Sequence, residues 1–203
     1  MKPIIVAFCG KTATGKTTLL NEYVKIDSRV RRVVSDTTRP PRIEEKDGRD
    51  YHFISPQEFF KRATNKDYLE KTEYRGWHYG TSKNEIMPDV INAGIFDAHG
   101  MNVLSLMQDK YTIIPIFVCS SGFTRFKRYL SRGGNIIDYI RREWQDKKTF
   151  GREDDFCHWL DTSFRNVSWV VFTNDKSYIR SNALDVRYWI SQVLDIPEIG
   201  QDL

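Results

Sequence analysis

Cysteine is scarce in this chain: three in 203 residues, at positions 9, 119 and 157. An odd number at unpatterned spacing excludes a disulfide framework, and the lack of clustered Cys/His pairs excludes a zinc site. Cys9 and Cys119 end apolar runs, so they are expected to be reduced, buried thiols of a cytoplasmic protein. No apolar stretch is long enough to span a bilayer, which argues against a membrane partner. Neither sign of charge dominates, with 31 basic against 27 acidic residues and a net +4. That excess suits phosphates gathered in a cleft and is too small to argue for nucleic-acid binding. The chain starts directly in a β-type run, without the basic head, apolar middle and cleavage site of a secretory leader. Repeats and low-complexity segments are missing too, and the length suits one domain with mobile sub-regions.

What the chain does carry is Gly10-Lys11-Thr12-Ala13-Thr14-Gly15-Lys16-Thr17, a complete G-x-x-x-x-G-K-S/T string. It follows the apolar run Pro3–Cys9 and precedes a helical pattern over Thr17–Lys25, with Leu19, Leu20 and Val24 on one face. Its glycines let backbone N–H groups close around phosphate oxygens at a helix N-terminus. The loop, with Thr18 behind it, is therefore expected to bind ATP. Lys16 reaches the β- and γ-phosphates, and the Thr17 hydroxyl joins the Mg2+ shell. A metal-side carboxylate should end a later strand. Asp97 follows Gly94-Ile95-Phe96 in that position and would act through water.

Further along, apolar β-type runs alternate with helical patterns, which predicts a five-stranded parallel sheet flanked by helices. Later strands are expected at Val30–Val34, Gly94–Phe96, Thr112–Cys119 and Ser168–Thr173. Ser55-Pro56-Gln57-Glu58 places Ser at an N-cap, Pro at N1 and Glu at N3, so a short helix should start there. Helices are also expected over Lys83–Asn92, Met101–Lys110, Gly122–Ser131 and Ser177–Val193. Two stretches break the alternation: 35–81, polar, aromatic and rich in arginine, and 132–164, highly charged. Both lack the apolar content of core elements and are expected to form mobile flaps over a cleft. The core is then 1–34, 82–131 and 165–203, in a single domain.

The first flap carries Ser35-Asp36-Thr37-Thr38-Arg39-Pro40-Pro41-Arg42 and then Asp47-Gly48-Arg49-Asp50-Tyr51-His52-Phe53. Two arginines three apart, stiffened by two prolines, present paired planar forks to a phosphate dianion, and Tyr51 adds a hydroxyl donor. This segment resembles the monophosphate-binding segment of guanylate kinases. The likeness continues in Tyr68-Leu69-Glu70, similar to the family's F-I/L-E, and in Gly76-Trp77-His78-Tyr79-Gly80-Thr81, similar to its G-x-x-Y-G-S/T. Val170-Val171-Phe172-Thr173-Asn174-Asp175 resembles the family's last strand and N-D turn.

The resemblance implies a P-loop NTPase fold with a monophosphate-binding flap and a lid. It implies that Arg39, Arg42, Tyr51 and Tyr79 hold the acceptor's phosphate, that Ser35, Glu70 and Thr81 face guanine, and that Glu45 and Asn174 belong to the substrate and ATP sites. In the lid it implies Arg132 and Arg142, with Arg141 an equal alternative to the latter, as arginines that stabilise the transferring phosphoryl group. A glutamate can accept both N1–H and N2–H of guanine, a donor pair that adenine does not offer on that edge. The implied activity is ATP- and Mg2+-dependent phosphorylation of GMP or dGMP.

The departures from the family keep alternatives open. Lys11-Thr12-Ala13 alters the loop's middle, Glu44 stands where the family has glycine, and His99 replaces the second carboxylate of its D-I-D segment. A neutral or cationic imidazole lacks the negative charge and the paired acceptor oxygens of a carboxylate, so it cannot do the same work beside a base or metal. A broader deoxynucleoside monophosphate kinase or a ribose bisphosphate phosphokinase is therefore a rival. A non-catalytic phosphopeptide-binding module of the same fold is another, opposed by the intact phosphate loop.

Overall fold

The computed structural model describes residues 2–43, 45–165, 169–172 and 178–197. At its centre lies β1 (Ile4–Cys9), flanked in parallel by β7 (Ile91–Ile95) and β8 (Thr112–Cys119). Outside these run β2 (Val30–Arg32) and β9 (Trp169–Phe172), also parallel, giving the order β2-β7-β1-β8-β9. This is the expected five-stranded parallel sheet. Near-continuous apolar runs such as Ile-Ile-Val-Ala-Phe-Cys mark strands covered on both faces. Alternate residues of β1 and β8 feed two cores. Val6, Phe8, Ile114 and Ile116 pack with α1 (Lys16–Ile26) and α7 (Ile179–Leu194) through Leu19, Tyr23, Val186 and Ile190. Ile5, Ala7, Ile113 and Phe117 pack on the other face with α3 (Ala98–Ser105) and α6 (Glu153–Ser163) through Met101, Leu104, Phe156 and Leu160.

Residues 35–81 build a second sheet from β3 (Asp36–Thr37), β4 (His52–Phe53), β5 (Tyr68–Tyr74) and β6 (Trp77–Ser82), in the order β4-β3-β6-β5. The sheet carries α2 (Pro56–Thr64), which starts where the capping signature places it, with Ser55 Oγ accepting from Glu58 N at 3.1 Å. Phe59 of α2 stacks on Tyr68 and His78 at 4.8 and 5.3 Å. Beneath them, buried Asp36 accepts from the Tyr68 hydroxyl at 2.7 Å and from Arg62 at 2.8 Å. The flap thus has a small core of its own.

Some expectations need correction. Lys83–Asn92 is not a helix: only a 3-10 turn forms at Lys83–Glu85, and Ile91 already opens β7. Pro88 cannot continue a helix, and buried Asn92 instead ties the connection down through Met87 O at 2.8 Å and Ile4 O at 2.9 Å. The helix expected at Met101–Lys110 begins earlier, at Ala98, because Asp97 caps it by accepting from Gly100 N at 2.7 Å, and it ends at Ser105. The apolar content thought missing from 132–164 is present. Following α4 (Gly122–Ser131), Phe150 at the end of α5 (Ile136–Phe150), Phe156 on α6 and Phe164 just past it join the second core. Spread over two helices, these residues never make an apolar run. None of the three cysteines is in a disulfide, and no described helix is long and apolar enough to cross a membrane.

Candidate active site

At the end of β1 the chain turns at Gly10, whose φ is 141° and where a Cβ would sit 2.3 Å from the Val118 carbonyl oxygen. No other residue fits there. Gly15, at φ 100°, closes the loop as the N-cap of α1 without a side-chain cap. The first N–H groups of α1 are thereby left for an anion. Lys16 Nζ folds back onto the Gly10 and Lys11 carbonyls at 2.7 and 2.8 Å. Burial lowers its pKa to about 8, against the pull of the Asp146 charge.

Asp146, on α5, is a residue that the sequence motifs do not flag. Its carboxylate accepts from Thr12 N at 2.6 Å and Thr12 Oγ1 at 3.3 Å, so the lid helix braces the phosphate loop. Arg125 lies 3.8 Å away and is itself held by Glu143 at 2.7 and 3.0 Å. Burial pushes the Asp146 carboxyl up, while Thr12 and Lys16 oppose it. A single Asp in a charged helical run carries no motif that could have revealed this.

A cleft of about 460 Å³ opens from the loop, and Gly10, Thr12 and Lys16 lie at one end. Arg39, Arg42, Tyr51 and Tyr79 line it from the flap. Glu45 grips the Arg39 fork with both oxygens at 2.9 Å and accepts from Arg42 N at 2.9 Å, so it organises the arginines. Arg39 also lies against the Tyr51 ring at 5.5 Å. Further along, Ser35 Oγ and Thr81 Oγ1 are 3.0 Å apart, and Thr81 donates to Glu70 Oε1 at 2.6 Å. Burial raises the Glu70 carboxyl to about 7; the Thr81 hydrogen bond opposes this and the nearby Asp97 charge adds to it. A Cβ at Gly100 would stand 3.4 Å from Glu70 Oε2, so α3 closes this end tightly.

From the lid, Arg142 lines the cleft and Arg132 lines the adjoining mouth with Thr12, Lys16 and Arg42. Arg141 points elsewhere, into a separate depression with Ile140, Trp144 and Lys148. Of the two neighbours only Arg142 reaches the site. Asp97 lines the main cleft, while Thr17 is exposed on the first turn of α1 and lines a smaller cavity with Ser35, Glu45 and Tyr51. Asn174 and Glu44 lie outside the described residues.

A parallel sheet whose glycine loop meets a lysine, with an arginine-rich flap facing it across one cleft, defines a P-loop nucleotide phosphotransferase. Comparison narrows that class. A family model described as guanylate kinase matches residues 1–146. The guanylate kinase of Lawsonia intracellularis is 33% identical over 182 residues, covering 85% of this chain and 79% of that protein. That of Polaromonas sp. is 38% identical over 151 residues, 71% and 73% of the two chains. The crystal structure of guanylate kinase from Anaplasma phagocytophilum shares the fold, with a TM-score of 0.62 at 19% identity, covering 94% of this chain and 86% of that one. The chain belongs to the guanylate kinase family.

Proposed function

We propose that this protein transfers the γ-phosphoryl group of ATP to GMP or dGMP, yielding ADP and the guanine nucleoside diphosphate. The observation that carries this is a single cleft lined together by Lys16 of the glycine loop, by Arg39, Arg42 and Arg142, and by Glu70. In this reading the loop from Gly10 to Thr18, with Lys16, holds the donor's phosphates. Arg39, Arg42, Tyr51 and Tyr79 take the acceptor's phosphate, with Glu45 holding the two arginine forks in place. Ser35, Thr81 and the ionised Glu70 read guanine. Arg132 and Arg142 neutralise charge on the moving group. No general base is required, because attack comes from a phosphate oxygen, and catalysis is positioning plus charge neutralisation.

The site fits magnesium that arrives with ATP. The donors proposed for it, the Thr17 hydroxyl and the Asp97 carboxylate, are hard oxygens of the kind that ion takes. Thr17 and Asp97 would hold it, Asp97 keeping one oxygen in the α3 cap. When bound, it would supply positive charge that offsets the charge of the phosphates. Residues 35–81 and 132–164 are read as the closing parts around a core of 1–34, 82–131 and 165–203, excluding water so that ATP is not hydrolysed. The three cysteine thiols support a cytoplasmic site of action.

The test is ADP release with ATP and Mg2+ against a panel of nucleoside monophosphates and ribose bisphosphate. GMP or dGMP should support turnover while AMP, cytidine monophosphate and ribose bisphosphate do not. Turnover with ribose bisphosphate alone would overturn the assignment.

A further inference from the structure

Arg142 is half-buried, and its seat is assembled from two separate parts of the chain. Its Nε donates to Asp138 Oδ2 and to the Tyr129 hydroxyl oxygen, both at 3.1 Å. The guanidinium carbon lies 5.4 Å from the Tyr129 ring centre and 5.9 Å from that of Tyr74. Tyr129 belongs to α4, but Tyr74 ends β5 of the acceptor flap. Asp138 itself accepts from Tyr129 and, at its other oxygen, from Arg75 Nη2, again at the tip of the flap hairpin. The Asn135 side chain accepts from Asp138 N at 2.7 Å and fixes the start of α5. The two terminal Nη groups of Arg142 have no partner among the described residues, and the side chain lines the cleft that holds Lys16.

Anchored at Nε and set beside two tyrosine rings, a guanidinium keeps only its outer pair of donors for ligands, in the geometry that matches two phosphoryl oxygens. Asp138 cannot touch those oxygens as an anion; it acts through Arg142. We infer that Asp138 is a positioning residue that aims Arg142 at the transferring phosphoryl group, and that Arg75 lets the acceptor flap complete this seat. The inference rests on the reading of Arg142 as a phosphoryl-binding arginine. It adds a link between the two halves of the reaction: the flap that carries the acceptor also helps to set the arginine that serves the donor. The strong depression of the Asp138 carboxyl pKa, caused first by the Arg75 bond and then by Tyr129, keeps it ionised throughout the working range.

The experiment is a mutant cycle over Asp138→Asn, Arg75→Ala and Arg142→Ala, with kcat and both KM values measured. Asp138→Asn should lower kcat about tenfold or more, as misplaced catalytic groups do, with each KM changed less than about threefold. Combined with Arg142→Ala it should add less than about twofold, since the residue it positions is gone. Arg75→Ala should follow the same pattern more weakly, and Arg75→Lys should recover most of the loss. A full, additive effect of Asp138→Asn in the Arg142→Ala background would overturn the inference. If Asp138→Asn does not fold, Arg75→Ala, at an exposed position, decides the question in the same way. A readout independent of turnover separates this from the proposed activity: the Arg142 Nε–H signal in 15N-arginine spectra. It should be protected from exchange in the wild-type protein, exchange at least about tenfold faster in Asp138→Asn, where only the Tyr129 hydroxyl and a neutral amide remain as acceptors, and less so in Arg75→Ala. An unchanged signal refutes the seat even if GMP is phosphorylated. Faster exchange of that signal without any GMP-dependent turnover supports the seat and refutes the activity.

Discussion

Replacing Glu70 by Gln should stabilise the empty protein at alkaline pH while crippling its use of GMP. Burial is the main reason the carboxyl rises from an ordinary value of 4.5 to about 7, the Thr81 bond opposing and the Asp97 charge assisting. A carboxyl raised on folding contributes stability that is complete below pH 4.5 and is lost as pH climbs through 7. At about 1.4 kcal/mol per pH unit, that loss is at most about 3.5 kcal/mol, and screening at the solvent-accessible cleft brings it to about 1–2 kcal/mol. Gln cannot ionise, so the variant escapes the loss. For a chain of this length, 1 kcal/mol moves Tm by about 2–4 °C. The Tm difference between Glu70→Gln and wild type should therefore be near zero at pH 4.5 and grow to about 2–8 °C above pH 7.5. In the same variant one carboxylate oxygen becomes an amide N–H₂, which would face one of the guanine N–H donors and leave it unpaired. A fall of about 100-fold or more in kcat/KM for GMP is expected. In the wild-type protein, kcat/KM for GMP should fall as pH drops below 7, because binding requires the ionised form. Scanning calorimetry across pH 4.5–8.5, with steady-state kinetics, measures both. A pH-independent Tm difference, or GMP turnover left intact, refutes the placement of Glu70 as a buried guanine acceptor.

Other expectations follow from the same geometry. Lys16→Ala should lower kcat about 100-fold or more in a coupled ADP assay with little change in the urea midpoint, and near-wild-type turnover would remove the loop from the mechanism. With the Lys16 ammonium lowered to about 8 by burial, KM for ATP should rise with pH above that value; a flat profile to pH 9.5 argues that the lysine is not needed charged. Leu160 is fully buried in the second core, so Leu160→Ala should cost about 2–5 kcal/mol in urea denaturation. A negligible loss would mean that α6 is not part of the packed body.

Much of the site was legible because it obeys local rules. The Gly10–Thr17 string states its own geometry, since only glycine tolerates the φ of Gly10 under the Val118 carbonyl. Ser55 and Pro56 mark a helix start by hydrogen bonding within one turn. Errors arose where distant residues decide. Lys83–Asn92 has helical spacing, but pairing of Ile91 with Ile4 and Val30 draws it into the sheet. Arg141 and Arg142 are equivalent in composition; α5's rotation against the cleft separates them.

The chain's linear order by itself determined the phosphate loop, the alternation that yields a parallel sheet, and the arginine- and tyrosine-bearing flap, because each depends on neighbours within a few residues. Only the tertiary structure decided that Asp146 braces the loop 134 residues away, that Glu70 meets Thr81 and Asp97, and that Arg75 reaches Asp138 across the cleft. The Asp146 and Arg75 contacts join elements far apart in the chain that only the packed fold brings together, and the Glu70–Thr81 bond depends on the register of the β5–β6 hairpin.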